Sequence, residues 1–394
     1  MNSNRRNFIK KGTSLAALSA IGSGTSGLAG LSGCKNSNTS KSPGMDEAHK
    51  EVEWPITEGV NTPKLCTGLS RNAEIQDMRE MKQIGIDHVL MGGGPIPWKE
   101  DELRATIDRF KEEGLTVLNM MIGGYPNTIY GREGRDEEIE KVQESIRAAG
   151  AAGLPVVEYN FYADRLMEGY YAVEGRGGAG HTAFDYNPVK DLPPKPEVGI
   201  HSSEELWANI TYFLKAVIPV AEKAGVRMAL HPNDPPIPVS HGSAQIIATL
   251  DDWKRLIEIV DSPSNGITFD PGVTREMGED PVEVCRYFGS RDRINHAHYR
   301  NVLVEKPYVK YTEVFPDEGQ VDMFNVMREL IRNRYKYGIY PEHPRALDHD
   351  REHPGGIRGG YPGGGGFTGL TFNVAFARAM LQASLSLQES QGQT

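Results

Sequence analysis

Five short segments of this sequence end in the same way. Pro155-Val-Val-Glu158-Tyr-Asn160, Met228-Ala-Leu-His231, Gly266-Ile-Thr-Phe-Asp270, Ile294-Asn-His-Ala-His298 and Gly338-Ile-Tyr-Pro-Glu342 each run through a few mostly apolar residues to a histidine or a carboxylate. One imidazole at a strand end is usually a hydrogen-bonded core residue. Five successive strand-like segments tipped with nitrogen or oxygen donors instead describe the shell of a divalent metal ion. His231, Asp270, His298 and Glu342 are the candidate ligands, and a nitrogen and carboxylate set without thiolate suits Mn, Fe, Co, Ni or Zn better than Mg. His343, directly after Glu342, is the candidate for proton transfer, because an ordinary imidazole titrates near neutrality. His296 points the same way as His298 one layer deeper, as a hydrogen-bonded interior histidine or a partner of the ligands. Glu158 and Asn160 share a face, where they complete the metal shell, bind a substrate hydroxyl or serve structure alone. Asp234 orients His231 or caps the turn before Pro235.

Elements far apart in sequence must bring these donors together. Strands are expected at Lys64–Thr67, His88–Met91 and Leu115–Met120, followed by the five segments above, and helices at 73–84, 100–113, 136–152, 203–224, 243–261, 280–289, 321–336 and 370–387, several closed by glycine. Eight strands alternating with helices predict an α/β fold, a (β/α)8 TIM barrel, which brings all strand tips to one face. A doubly wound sheet fits less well, because no GxGxxG turn follows the first strand and the donors are spread over at least five strand ends. Three long βα loops overhang that C-terminal face. Residues 162–202, with Arg165, Arg176 and the run Gly175-Arg-Gly-Gly-Ala-Gly180, read as a mobile lid. Residues 299–318 hold Tyr299, Arg300 and Tyr311, and residues 355–366 hold Tyr361.

With 394 residues and a formal net charge of −10, and with no basic tract interleaved with aromatics in its body, the chain is a poor candidate for nucleic-acid binding. Its three cysteines, Cys34, Cys66 and Cys285, lack zinc-finger spacing and are too few for a disulfide framework. The N-terminus reads as an address. Asn4-Arg5-Arg6-Asn7-Phe8-Ile9-Lys10-Lys11 resembles a twin-arginine export signal, and the weakly apolar run 13–30 is too short to span a bilayer. Leu31-Ser-Gly-Cys34 resembles a lipobox in which Cys34 is lipidated. The expected organisation is a signal peptide over 1–34, a flexible tether over 35–60 and a catalytic barrel over 61–390. Export to the periplasmic side follows, with membrane contact only through a lipid anchor at Cys34.

Several motifs together resemble those of the mannonate dehydratases, within the wider xylose-isomerase-like TIM-barrel group. They are His231-Pro-Asn-Asp-Pro-Pro236, Ser262-Pro-Ser-Asn-Gly266, His298-Tyr-Arg300-Asn, Gly319-Gln-Val-Asp-Met323, Pro341-Glu-His343 and Glu158-Tyr-Asn-Phe161 with the arginine-bearing insert after it. The resemblance, over about residues 64–387, implies a divalent ion, Mn2+ or Fe2+, held by a His, a Cys, a second His and an Asp. Here His231 and His298 match the two histidines, Asp270 stands at the Cys position and Glu342 at the Asp position. The implied reaction is dehydration of a small-molecule sugar acid, D-mannonate, to 2-keto-3-deoxy-D-gluconate. The resemblance implies that His343 carries one proton and Tyr299, Tyr311 or Tyr361 the other, with Arg165, Arg176 and Arg300 clamping the carboxylate and Glu158 and Asn160 contacting substrate. The loss of the thiolate moves the shell toward that of sugar isomerases and epimerases, so an isomerase, epimerase or keto-sugar lyase acting on a neutral sugar is the rival. A non-catalytic carbohydrate-binding lipoprotein predicts broken ligand positions, which this sequence does not show. A homo-oligomer is compatible with either enzyme reading.

Overall fold

Period-2 burial and the helix punctuation resolve into fourteen strands among the described residues. In chain order they are β1 (Lys64–Gly68), β2 (His88–Gly92), β3 (Thr116–Ile122), β4 (Val156–Tyr159), β5 (Tyr170–Glu174), β6 (Gly180–Asp185), β7 (Arg227–Leu230), β8 (Val239–Ser240), β9 (Ser243–Ala244), β10 (Asn265–Phe269), β11 (Ile294–His298), β12 (Asn301–Lys306), β13 (Lys310–Val314) and β14 (Gly338–Tyr340). The computed structural model describes Val52, residues 54–353 and residues 360–390. The expected signal peptide, Cys34 and most of the tether therefore lie outside the described residues. Residues 54–60 pack on the barrel: Ile56 is buried, and Glu58 accepts from the Leu65 amide at 3.0 Å.

Eight strands close on themselves in the order β1-β14-β11-β10-β7-β4-β3-β2, all pairs parallel, which is the expected (β/α)8 barrel. Strands such as β4, β10 and β11 are buried along their whole length, because the interior covers one face and the helices the other. The helix Ser203–Ala224 shows how sequence sets its own limits. Ser202 and Glu205 form a reciprocal capping box, Gly225 ends the helix at φ 68, and Leu206, Ile210, Phe213, Leu214 and Val217 present an apolar stripe to the barrel. No helix among the described residues is long and apolar enough to cross a membrane.

The barrel follows expectation; the inserts do not. Residues 162–202, expected as a glycine-rich mobile lid, are not one continuous loop. They contain β5 and β6, and residues 299–318 contain β12 and β13, and the four strands form one antiparallel sheet in the order β12-β13-β6-β5. The glycine run is the turn of the β5–β6 hairpin, where Gly177 (φ 63) and Gly178 (φ 82) take left-handed conformations that a Cβ would strain. This sheet has its own small apolar cluster of Leu166, Tyr170, Phe184, Tyr186, Val189, Ile237 and Tyr311. The helix expected over 243–261 is shorter. Residues 239–244 form the β8–β9 hairpin, and the helix Leu250–Ile259 starts only after the Thr249–Asp252 capping box. A short helix, Pro271–Glu276, begins directly at Asp270, which caps it by accepting the Val273 amide at 2.9 Å.

Candidate metal centre and proton-transfer site

The four candidate ligands converge at the C-terminal mouth of the barrel. His231 follows β7, and its Nδ1 lies 2.7 Å from the Pro232 carbonyl, so Nδ1 carries the proton and Nε2 keeps the lone pair. The His231 and His298 rings are 4.9 Å apart between centres. His298 Nδ1 is 2.9 Å from Glu342 Oε1 and 3.7 Å from Asp270 Oδ2. The donor atoms of Asp270, His298 and Glu342 all fall within 4.8 Å of one another. His298 Nδ1 is thus buried between two carboxylates. A buried, converging set of imidazole and carboxylate donors fits a divalent cation.

The electrostatics agree. Burial alone would lower the pKa of His298, but Glu342, Asp270 and Glu158 outweigh it and raise it well above the usual imidazole range. Burial alone would raise Glu342, yet His298 and His343 bring it down to about 2. Asp270 is likewise held far below the carboxylate range, with Arg300 and His298 outweighing its burial. In effect, protonated His298 supplies the charge that these carboxylates need.

His343 stands at the edge of this set. Its Nδ1 is 2.8 Å from Glu313 Oε2 and its Nε2 is 3.6 Å from Glu342 Oε2. Glu313 is fixed in turn by Arg345, whose Nη2 donates to Oε2 at 2.9 Å. Burial would depress the pKa of His343, but Glu313 and Glu342 raise it. The His343 backbone is left-handed at φ 46, a strained conformation for a non-glycine residue, and such conformations cluster at functional sites. Tyr361 lies 4.8 Å from the His343 ring between centres. Both line a cavity of about 320 Å³ with Glu342, Tyr340, Arg345 and the backbone at Gly364–Gly366. That volume suits a small substrate.

The other sequence candidates fall into different surroundings. Arg165 donates from Nη2 to Asp234 Oδ2 at 3.2 Å and lies over the Tyr361 ring. Arg300 is buried, with Nε donating to Asp270 Oδ2 at 2.9 Å and Nη1 to Glu276 Oε1 at 2.7 Å, so it faces a candidate ligand instead of open space. Arg176 is paired with Asp317 at 2.7 Å on the exposed edge of the insert, apart from the Arg165 and Arg300 groups. Tyr311 is buried, its hydroxyl 2.8 Å from that of Tyr170 and 3.4 Å from Asp234 Oδ1. Tyr299 turns away and donates to the Met323 carbonyl at 2.6 Å. Asn160 is half-buried, its Nδ2 3.7 Å from Met121 Sδ. Glu158 is buried inside the barrel, where it, His296 and His298 offer donor atoms within 4.8 Å of one another, the arrangement of a residue at the metal shell. His296 is not hydrogen-bonded as anticipated: both ring nitrogens are buried without a partner, and burial lowers its pKa to about 4.

Asp234 neither orients His231 nor caps the turn. It receives the Tyr170 hydroxyl at 2.9 Å and is paired with Arg165 and Arg300. Glu313, Glu276, Arg345 and Tyr170 were not apparent as site residues. Tyr170 and Glu313 become visible once the insert is read as a sheet, whereas Glu276 on a short helix and Arg345 in the segment after β14 carry no such pattern.

A family model described as D-mannonate dehydratase (UxuA) matches residues 198–375. The mannonate dehydratase of Streptococcus pneumoniae (strain 70585) is 32% identical over 302 residues, 68% of this chain and 82% of that protein. That of Thermotoga petrophila is 30% identical over 317 residues, 71% of this chain and 88% of that protein. A crystal structure of mannonate dehydratase from Streptococcus suis serotype 2 superposes with a TM-score of 0.73 at 27% identity, covering 82% of this chain and 95% of that one. An L-ribulose 3-epimerase superposes at 0.51 with 14% identity and shares the fold. At this identity, and with more than four-fifths of each of these relatives matched, the chain belongs to the mannonate dehydratase family.

Proposed function

We propose that this hydro-lyase removes water from D-mannonate to give 2-keto-3-deoxy-D-gluconate, with His231, Asp270, His298 and Glu342 holding a divalent ion, Mn2+ or Fe2+. The observation that carries the reading is His343, held by Glu313 beside that ligand set and lining a cavity of substrate size. A bound divalent ion supplies Lewis acidity that eases removal of the proton beside a carboxylate. His343 takes the C2 proton on Nε2, while Glu313 holds the Nδ1 proton and stabilises the imidazolium that forms. Burial pushes the Tyr361 pKa up, so Tyr361 remains a neutral phenol able to hydrogen-bond the departing C3 hydroxyl and give it a proton. The C3–O bond breaks, water leaves, and the C2–C3 enol tautomerises to the ketone. Tyr311, held by Tyr170 and Asp234, braces this wall instead of transferring a proton.

One observation favours a second reading. Arg165, Arg176 and Arg300 are each already paired with a carboxylate, so a sugar acid has to compete for the expected clamp. A neutral sugar undergoing isomerisation or epimerisation needs no such clamp. Purified, Mn2+-loaded protein given D-mannonate separates the two. Formation of a 2-keto-3-deoxy acid that disappears in His343→Ala and His231→Ala supports dehydration; metal-replete protein that leaves mannonate intact removes it. We also propose, from the N-terminal motif, an exported lipoprotein anchored through Cys34. Membrane-fraction protein that becomes soluble in Cys34→Ala supports that, and unchanged partitioning ends it.

A further inference from the structure

The ring of ligands has a lower storey. Glu158 lies in the barrel interior, 1% exposed, and its carboxylate is fixed from the neighbouring β3 and from β10, two strands away on the other side. Asn119 on β3 donates to Oε2 at 2.7 Å, and Thr268 on β10 donates to Oε1 at 2.8 Å. A barrel interior is ordinarily filled with branched apolar side chains, and a carboxylate there costs stability unless it is compensated. Among the described residues no arginine or lysine pairs with Glu158; its ion-pair partner is His298, Nε2 to Oε1 at 3.7 Å.

The two nitrogens of His298 thus face different groups. Nδ1 faces Asp270 and Glu342, the ligand side, and Nε2 faces Glu158. A neutral imidazole that offers the Nδ1 lone pair to a cation carries its single proton on Nε2. We infer that Glu158 is a positioning residue of the metal centre: it accepts the Nε2 proton of His298, selects the tautomer whose Nδ1 is free to ligate, and holds the ring in that orientation. Contacts of this kind are often long before the site is complete and tighten afterwards. His296 wedges the ring from below, edge to face at 5.3 Å and 89°. Gly338 leaves the space for this, since a Cβ there would come within 3.1 Å of His296 Cε1. Glu158 therefore acts beneath the substrate without touching it. The inference rests on the ligand set proposed above.

The test is calorimetric titration of the metal-free full chain with Mn2+ alone, alongside melting curves and, for D-mannonate, separate kcat and KM. Partners of a ligating histidine typically change metal affinity 10–100-fold. Glu158→Gln is expected to weaken Mn2+ binding by about that factor, with KM unchanged at saturating Mn2+. Thr268→Val, which removes one of the two bonds that hold the carboxylate, is expected to weaken it less, and Thr268→Ser to restore it. Wild-type Mn2+ affinity in both Glu158→Gln and Thr268→Val overturns the inference, as does a rise in KM without a change in Mn2+ affinity. His231→Ala in the same titration checks the ligand set separately: wild-type binding there means that the set is wrong. Should Glu158→Gln fail to fold, the Val and Ser variants of Thr268 decide the matter.

Discussion

At the scale of single residues, the argument turns on His343. Its pKa is raised because Glu313 and Glu342 outweigh burial, so the imidazole is charged at the acid end of the working range and becomes a base only as pH climbs through that raised value. The kcat/KM for D-mannonate should therefore rise with pH and level off. Glu313→Gln removes the nearest negative charge, so the rising limb should move to lower pH while the plateau falls, because a less basic imidazole is a weaker proton acceptor. A limb that stays in place in that variant would remove His343 as the base. His343→Ala should lose roughly 10²–10⁴ in kcat while keeping its Mn2+ stoichiometry. His231, Asp270, His298, Glu342 and His343 were legible in the sequence because each follows a short apolar run, and a barrel gathers such tips on one face. Glu313 and the partners of Asp234 were not. Glu313 owes its place to a strand that pairs far from itself in sequence, and Asp234 to tyrosines on two different inserts.

Those inserts set the next scale. Tyr311 pairs with Phe184, and Ala183 with Thr312, across more than a hundred residues of chain, so no local pattern announces the sheet. The glycines of the β5–β6 turn look like a loop when read alone. Alternation in the barrel strands was easier to read because each is flanked by its own helix. The sheet carries Tyr170, Tyr311 and Glu313 and rests on a cluster separate from the barrel core, whereas the candidate metal ligands stand on barrel strand tips. The two should come apart on mutation. Phe184 is fully buried, with its ring 4.9 Å from that of Tyr170 and 5.3 Å from that of Tyr311. Phe184→Ala should cost about 3–5 kcal/mol of local packing. The expected outcome is faster proteolysis within 162–202 and 299–318 and a large loss of kcat, with Mn2+ affinity close to wild type. If limited proteolysis and titration instead show metal binding falling in step with activity, the sheet and the metal centre form one unit.

Across the whole molecule the balance of buried charge decides what the barrel mouth requires. Glu158, Asp234, Asp270, Glu313 and Glu342 are buried there as carboxylates, while burial pushes Glu276 well above the usual carboxylate range; among the described residues Arg165, Arg300, Arg345 and a protonated His343 oppose them. Without a metal the deficit falls on His298, whose pKa is raised well above the usual range by the surrounding carboxylates. An incoming divalent ion needs the lone pair that this proton occupies, so uptake must expel it. Mn2+ affinity should then weaken as pH falls. The apparent binding enthalpy should also depend on the ionisation enthalpy of the buffer, because the released proton is taken up by buffer. Binding to the native state alone stabilises by about 2.7 kcal/mol at a hundredfold excess over Kd, and each kcal/mol shifts Tm by about 2–4 °C in a large domain. Chelation should therefore lower the melting temperature by several degrees at neutral pH and by less in acid, where protons already compete for the site. In His231→Ala the chelator should make no difference. A chelator shift of equal size at every pH, with no dependence on buffer, would mean that the ion does not compete with the His298 proton.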